Sequence, residues 1–218
     1  MPKTELQQVF ETLYQSYGPQ QWWPAETPFE VMVGAILTQN TAWGNVERAI
    51  ANLRRNGHLS PERIAALPHS RLARWLKPSG YFNIKARRLQ NYCRWYLEQG
   101  GWERLNGMDT PELRRELLSV NGVGPETADD ILLYAFERPV FVIDAYTRRI
   151  FSRLGLVPEG SGYEPLRARF EEALGNHPDP VWLFNEYHAL VVRHAKQCCR
   201  RRPLCGDCCL APRCPEGS

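Results

Sequence analysis

The chain has 218 residues, 43% of them hydrophobic and 23% charged, and its 27 Lys and Arg against 24 Asp and Glu leave a formal net charge of +3. This composition belongs to ordinary soluble proteins with one or two compact domains, and without internal repeats or low-complexity segments it excludes solenoids and disordered scaffolds. No run approaches the roughly 20 apolar residues that cross a bilayer, and the opening residues Met1 to Tyr14 lack the basic-then-apolar order of a signal peptide, so a cytoplasmic protein without a membrane partner is expected.

Along the chain, apolar residues recur at spacings of three and four, the period of helices buried on one face. Trp22-Trp23-Pro24 and Phe29 come first, followed by the apolar run Gly34 to Trp43, interrupted by Gln39 and Asn40. Alone, Trp22, Trp23 and Trp43 read as core or as the aromatic lining of a site, and the two amides as backbone caps or as contacts. Ser60-Pro61-Glu62 and Thr110-Pro111-Glu112 each read as N-cap, first helical residue and first-turn acid. Lys85, Arg87 and Arg88 read as a solvated or phosphate-facing edge. The β-branched stretches 31–41 and 140–143 are short and lie beside helical patterns, so the fold is all-α. Gly and Pro breaks divide the chain into about ten short helices.

Residues 117–136 read as an apolar helix end, a Gly122-Val123-Gly124 hairpin and a second helix from Pro125, with Thr127 and Ala128 in its first turn. The two glycines let backbone N–H groups approach an oxygen ligand while the second helix points its positive end the same way, a cradle for phosphate. The competing reading is a tight helix–helix turn. Glu126 is either a contact of a site or a first-turn acid favoured by the helix dipole. Asp144 then stands between the apolar run 140–143 and a basic helix. It reads as an N-cap, and also as a carboxylate able to stabilise an oxocarbenium-like sugar or orient water, as N-glycosidic bond cleavage needs.

Six of the seven cysteines lie between Cys198 and Cys214, too densely for core thiols in a chain that is not a small secreted one. Cys198, Cys205, Cys208 and Cys214 have the spacing C-x6-C-x2-C-x5-C, a four-thiolate loop that suits zinc or a [4Fe–4S] cluster. Cys199 and Cys209 each adjoin a proposed ligand and leave the register open. Arg193, Lys196, Arg200, Arg201, Arg202 and Arg213 face the single acid Asp207 in this stretch, a basic end able to neutralise phosphates or a solvated tail.

The hairpin, Asp144 and the closing cysteine loop, in this order and spacing, resemble the endonuclease III branch of the helix-hairpin-helix DNA glycosylases over nearly the whole chain. The resemblance implies a two-domain fold, with a six-helix barrel at 25–135 and a discontinuous domain from 1–24 and 136–218. It also implies a [4Fe–4S] cluster on the 198–214 loop, a monomer, and double-stranded DNA with damaged bases as the partner, placing the protein at the nucleoid. Bifunctional members carry a lysine where Glu126 stands, so the resemblance implies a monofunctional glycosylase with Asp144 catalytic and no lyase step.

The Gly34–Trp43 segment, the stretch 78–86 and the Gly-Pro-Glu-Thr-Ala-Asp hairpin are similar to the 3-methyladenine DNA glycosylase III type. That similarity implies alkylated purines as substrates, a base pocket of Trp22, Trp23 and Trp43, and DNA contacts from Gln39, Asn40, Gly122, Val123, Gly124 and Thr127. One of the two amides would fill the gap left by the flipped nucleotide. A positively charged methylpurine stacks well on indole and leaves readily. A thymine, uracil or other pyrimidine glycosylase and a non-catalytic DNA-binding iron–sulfur module stand as alternatives, whereas Gly34, at the position of an acid in the adenine-mismatch branch, argues against that activity.

Overall fold

A computed structural model describes residues 4–22 and 25–217, and among them the regular elements are α-helices and short 3-10 turns. The chain divides into two units, one of residues 1–22 with 137–218 and one of residues 23–136. The described residues form twelve α-helices, more than the ten or so expected, because α4 and α7 are only six residues each.

The first unit opens with α1 (Glu5–Tyr17), whose capping box joins the Thr4 side chain to the Gln7 amide and the Gln7 side chain to the Thr4 amide. The second unit holds α2 (Pro28–Leu37), α3 (Trp43–Arg55), α4 (Pro61–Ala66), α5 (His69–Leu76), α6 (Phe82–Glu98), α7 (Gly101–Asn106), α8 (Thr110–Ser119) and α9 (Pro125–Tyr134). The first unit resumes with α10 (Ala145–Arg153), α11 (Tyr163–Leu174) and α12 (Pro180–Gln197). Among the described residues no helix is long and apolar enough to cross a membrane.

Local chemistry sets most helix starts. Ser60 caps α4 with Pro61 in its first turn, as the sequence predicts. The second such start is displaced by one residue: the cap of α8 is Asp109, whose carboxylate accepts from the Glu112 amide at 2.7 Å, and Thr110 is already helical. A carboxylate one residue upstream is the stronger acceptor for a first-turn amide and adds a favourable charge at the positive helix end.

The stretch 31–41, rich in β-branched residues, is helical through Leu37, because α2 is buried almost all round and its apolar residues pack against α3, α6 and α9. In the first unit Phe141, Phe151, Phe170, Phe184 and Tyr187 interlock by edge and stacked contacts between 4.5 and 6.4 Å.

In the second unit, α6 carries polar side chains that enter the core to meet loop carbonyls. Lys85 is 1% exposed, and its ammonium donates to the Leu37 carbonyl at 2.8 Å and the Ser79 carbonyl at 2.6 Å. Gln90, also buried, donates to the Leu67 carbonyl at 2.8 Å. Burial, helped by the nearby Arg88 charge, lowers the Lys85 pKa to about 8.

Because this folded value lies below the unfolded one, the cost of the buried ammonium is fully present below about pH 8 and is relieved as the pH rises toward about 10.5. The unfolding free energy of the wild type, measured relative to Lys85→Met in denaturant titrations, should therefore rise across that window. A flat difference would show that the two carbonyls fully compensate the charge.

Candidate functional site

In the second unit, Gln39, Gly122, Val123, Gly124, Glu126 and Thr127 gather at the turn between α8 and α9. Gly122 has φ +103°, a conformation L side chains rarely adopt, and an added Cβ would overlap the stem of Arg88, lying 3.0 Å from its Cβ and Cδ. Val123 is buried and its amide is spent on the Val120 carbonyl at 3.0 Å. Gly124 is exposed at the N-cap of α9, where no side chain caps the helix, so the first turn presents its positive end outward with Pro125 at N1. That end suits an anion. Glu126 lies exposed in the same first turn.

Thr127 is only 5% exposed, and its hydroxyl accepts from Gln39 Nε2 at 2.9 Å. The same nitrogen donates to the Gly122 carbonyl at 3.1 Å, and Arg88 donates to Gln39 Oε1. Gln39 is thus tied to the hairpin. Asn40, next in the chain, is exposed with φ +55°, a left-handed conformation that asparagine tolerates better than most residues. Trp43 is half-buried at the first position of α3. Tyr81, 69% exposed with φ +44°, precedes α6 and was not singled out by sequence; a large exposed ring has no periodicity to reveal it.

In the first unit, Asp144 caps α10, its carboxylate accepting from the Thr147 amide at 2.7 Å and the Thr147 hydroxyl at 2.8 Å. The other oxygen lies 3.6 Å from His188 Nε2, and only 13% of the Asp144 side chain is exposed. Burial alone would raise the carboxyl, but the His188 partner and the two Thr147 donors outweigh it and hold Asp144 below the usual carboxylate range. An ionised carboxylate thus stands at a helix start. Trp22, half-buried, lies 5.7 Å from the His188 ring and lines an open groove of about 330 Å³ with Gln20, Arg193 and Lys196. Trp23 lies outside the described residues. His188 escaped sequence reasoning because its link to Asp144 spans two helices and leaves no local spacing.

The C-terminal cysteines ring a small cavity of about 30 Å³ that Cys198, Cys205, Cys208 and Cys214 all line, together with Cys199 and His194. Cys209 is not among the lining residues. Arg153 donates to Cys199 Sγ at 3.3 Å and to the Arg200 carbonyl at 2.7 Å, while Tyr17 Oη lies 3.7 Å from Cys198 Sγ and 2.9 Å from His194 Nδ1. Among the described residues no three His, Cys, Asp or Glu side chains converge closely enough to hold a single metal ion.

The family model described as HhH-GPD superfamily base excision DNA repair protein matches residues 33–176. A chain of Methanocaldococcus jannaschii, provisionally named a DNA repair glycosylase, is 47% identical over 206 residues, 93% of this chain and 92% of its own. Endonuclease III of Thermotoga maritima is 30% identical over 189 residues, 86% of this chain and 82% of its own. The structure of an H. pylori 3-methyladenine DNA glycosylase bound to 1,N6-ethenoadenine has a TM-score of 0.78 at 28% identity, covering 89% of this chain and 98% of that one. A non-covalent endonuclease III–DNA complex gives a TM-score of 0.82 over 100% of this chain and 97% of that one, at 21% identity, a likeness of fold.

Replacing His188 by Ala removes the partner that keeps Asp144 acidic. Stability that depends on ionised Asp144 is present above the unfolded value near pH 4 and lost as the pH falls through the folded value, so the loss should begin at higher pH in His188→Ala. Denaturant titrations between about pH 3 and 6 check this; superimposable profiles for the two proteins would remove His188 from the account.

Proposed function

The chain belongs to the HhH-GPD superfamily of base excision DNA repair proteins, and we propose that within it the protein is a monofunctional DNA glycosylase that removes alkylated purines and leaves the abasic strand uncut. The observation that carries this reading is the carboxylate of Asp144, ionised and largely buried between its own helix start and His188, with Glu126 where a Schiff-base lysine would stand in the hairpin. The similarity to the 3-methyladenine glycosylase, which extends over 89% of this chain, supports the choice of substrate.

A purine methylated at N3 or N7 carries a positive charge, so the N-glycosidic bond breaks with its electron pair moving to a base that is already a good leaving group. The sugar carbon that remains is electron-poor. Asp144, negative before the bond weakens, stabilises that charge without reorganisation, orients the water that adds to C1′ and accepts the proton that this water loses before passing it to solvent. Trp22 offers an electron-rich face to a cationic base, and Trp23 and Trp43 complete the pocket in this reading. The uncapped start of α9 with Gly122 and Gly124 takes a backbone phosphate, while Asn40, exposed and unencumbered by the hairpin, is the amide that enters the space of the extruded nucleotide.

The four thiolates of Cys198, Cys205, Cys208 and Cys214 would hold a [4Fe–4S] cluster: all four line one cavity, and although four thiolates suit zinc equally, the resemblance of the loop to the endonuclease III branch favours the cluster. Bound there, the cluster would tie the end of α12 to the 205–214 loop and offer a one-electron couple. Cys199, held by Arg153, and Cys209, outside the cavity, are spare thiols in this assignment. The 30% identity to an endonuclease III favours a second reading in which a pyrimidine lesion is the substrate.

Purified protein given methylated DNA should release methylpurines without strand breaks, and Asp144→Asn should lose the release by about 10³-fold or more. Duplexes holding uracil, a thymine mismatch or an oxidised pyrimidine test the second reading; preferential release from them, or a borohydride-trapped strand intermediate, would displace the first. Protein purified without oxygen should contain about four iron atoms per chain, retained in Cys209→Ser and lost in Cys208→Ser. Stoichiometric zinc in their place would overturn the cluster.

A further inference from the structure

Three side chains at successive turns of α6 reach the two loops that frame the phosphate cradle. Lys85 donates to the Leu37 carbonyl at 2.8 Å, where α2 gives way to the Gln39–Asn40 loop. Arg88, three residues on, donates to Gln39 Oε1, and Asn91, three further, donates to the Asn121 carbonyl at 3.3 Å in the hairpin. Residues three apart on a helix are neighbours on its surface, so one strip of α6 holds both loops.

Gln39 closes the connection. Both Nε2 hydrogens are used, on the Gly122 carbonyl at 3.1 Å and the Thr127 hydroxyl at 2.9 Å, while its oxygen takes the Arg88 guanidinium. An amide with both donors engaged and its oxygen held by Arg88 cannot donate to a ligand without breaking those bonds. The Arg88 stem also lies against Gly122, close enough that only a glycine fits.

We propose that Gln39 and Arg88 form a latch that holds the Asn40 loop in a fixed position against the Gly122 hairpin, so that the loop is already placed for insertion when the hairpin meets a phosphate. Both are positioning residues: they touch each other and the hairpin rather than the substrate. The latch rests on the reading that this loop and hairpin meet DNA. Its benefit is the loop-ordering entropy that need not be lost at the moment of binding. It bears on duplexes with an extruded or missing base, where the loop must enter the stack, and not on intact duplex held by phosphate contacts alone.

The test uses the full-length protein and two duplexes of one sequence, one intact and one with a tetrahydrofuran abasic analogue. Arg88→Met keeps the stem over Gly122 and removes the guanidinium; Gln39→Ala removes the amide. Each should weaken binding to the abasic duplex about tenfold and leave intact-duplex binding within about twofold, and the double variant should be no worse than either single one, the mark of one coupled unit. Hydrogen exchange without DNA should quicken at both 38–42 and 121–124 in Arg88→Met. Multiplying losses in the double variant, equal losses on both duplexes, or faster exchange in only one of the two segments would overturn the latch. If the wild type itself does not prefer the abasic duplex while exchange quickens in both segments, the DNA-site reading fails and the latch proposal falls with it.

Discussion

Every helix end leaves carbonyl and amide groups that its own hydrogen-bond ladder cannot satisfy, and in a chain of short helices such groups are numerous enough to govern the rest of the structure. This protein meets the constraint with long polar side chains aimed at loop backbone. Lys85 serves the carbonyls of Leu37 and Ser79, Gln90 that of Leu67, and Asn52 that of Trp75. In the other unit Arg149 and Arg153 hold the carbonyls of Cys199 and Arg200, and Arg193 that of Tyr17. Loops fixed this way keep a definite shape without regular structure, which is what a recognition surface made of loops requires.

The same constraint is left without a side-chain cap at six of the described helix starts, those of α3, α5, α6, α7, α9 and α11. The start of α9 has no side-chain cap, and its amides are offered to whatever anion approaches. The start of α10 is the opposite case: Asp144 satisfies the first-turn donors, and those donors, with His188, keep the carboxylate charged despite burial. Capping and chemistry therefore draw on one interaction. The hydrogen bonds that stabilise the helix also prepare the anion, so the N-cap and catalytic readings of Asp144 are compatible roles of a single group.

The cysteine loop shows how the third dimension narrows a question of register. Spacing alone admits Cys199 and Cys209 as alternatives to their neighbours. In the folded unit Cys209 does not line the cavity that the other five loop cysteines share, and among those five Cys199 is the one that accepts from Arg153. That basic residues come to this loop from α10, through Arg149 and Arg153, is a long-range fact that the local excess of Arg between positions 193 and 213 does not contain.

By itself the sequence determined the all-helical class, the hairpin, the cysteine cluster and the helix starts at Pro61, Pro125 and Ala145, since each depends on residues within a few positions of one another: a cap, a proline, two glycines, a ligand spacing. Its one-residue error at α8 has the same local origin, two adjacent residues both able to cap. What only the tertiary structure decided are the pairings across the chain. Gln39 is a strut to Gly122 and Thr127, 83 and 88 residues away. Arg88, read as a solvated or phosphate-facing edge, reaches from α6 to Gln39 and lies over Gly122. Asp144 has a histidine beside it from α12. Such contacts are set by how helices pack, and packing depends on shape and volume summed over the whole core, which no short window of sequence records.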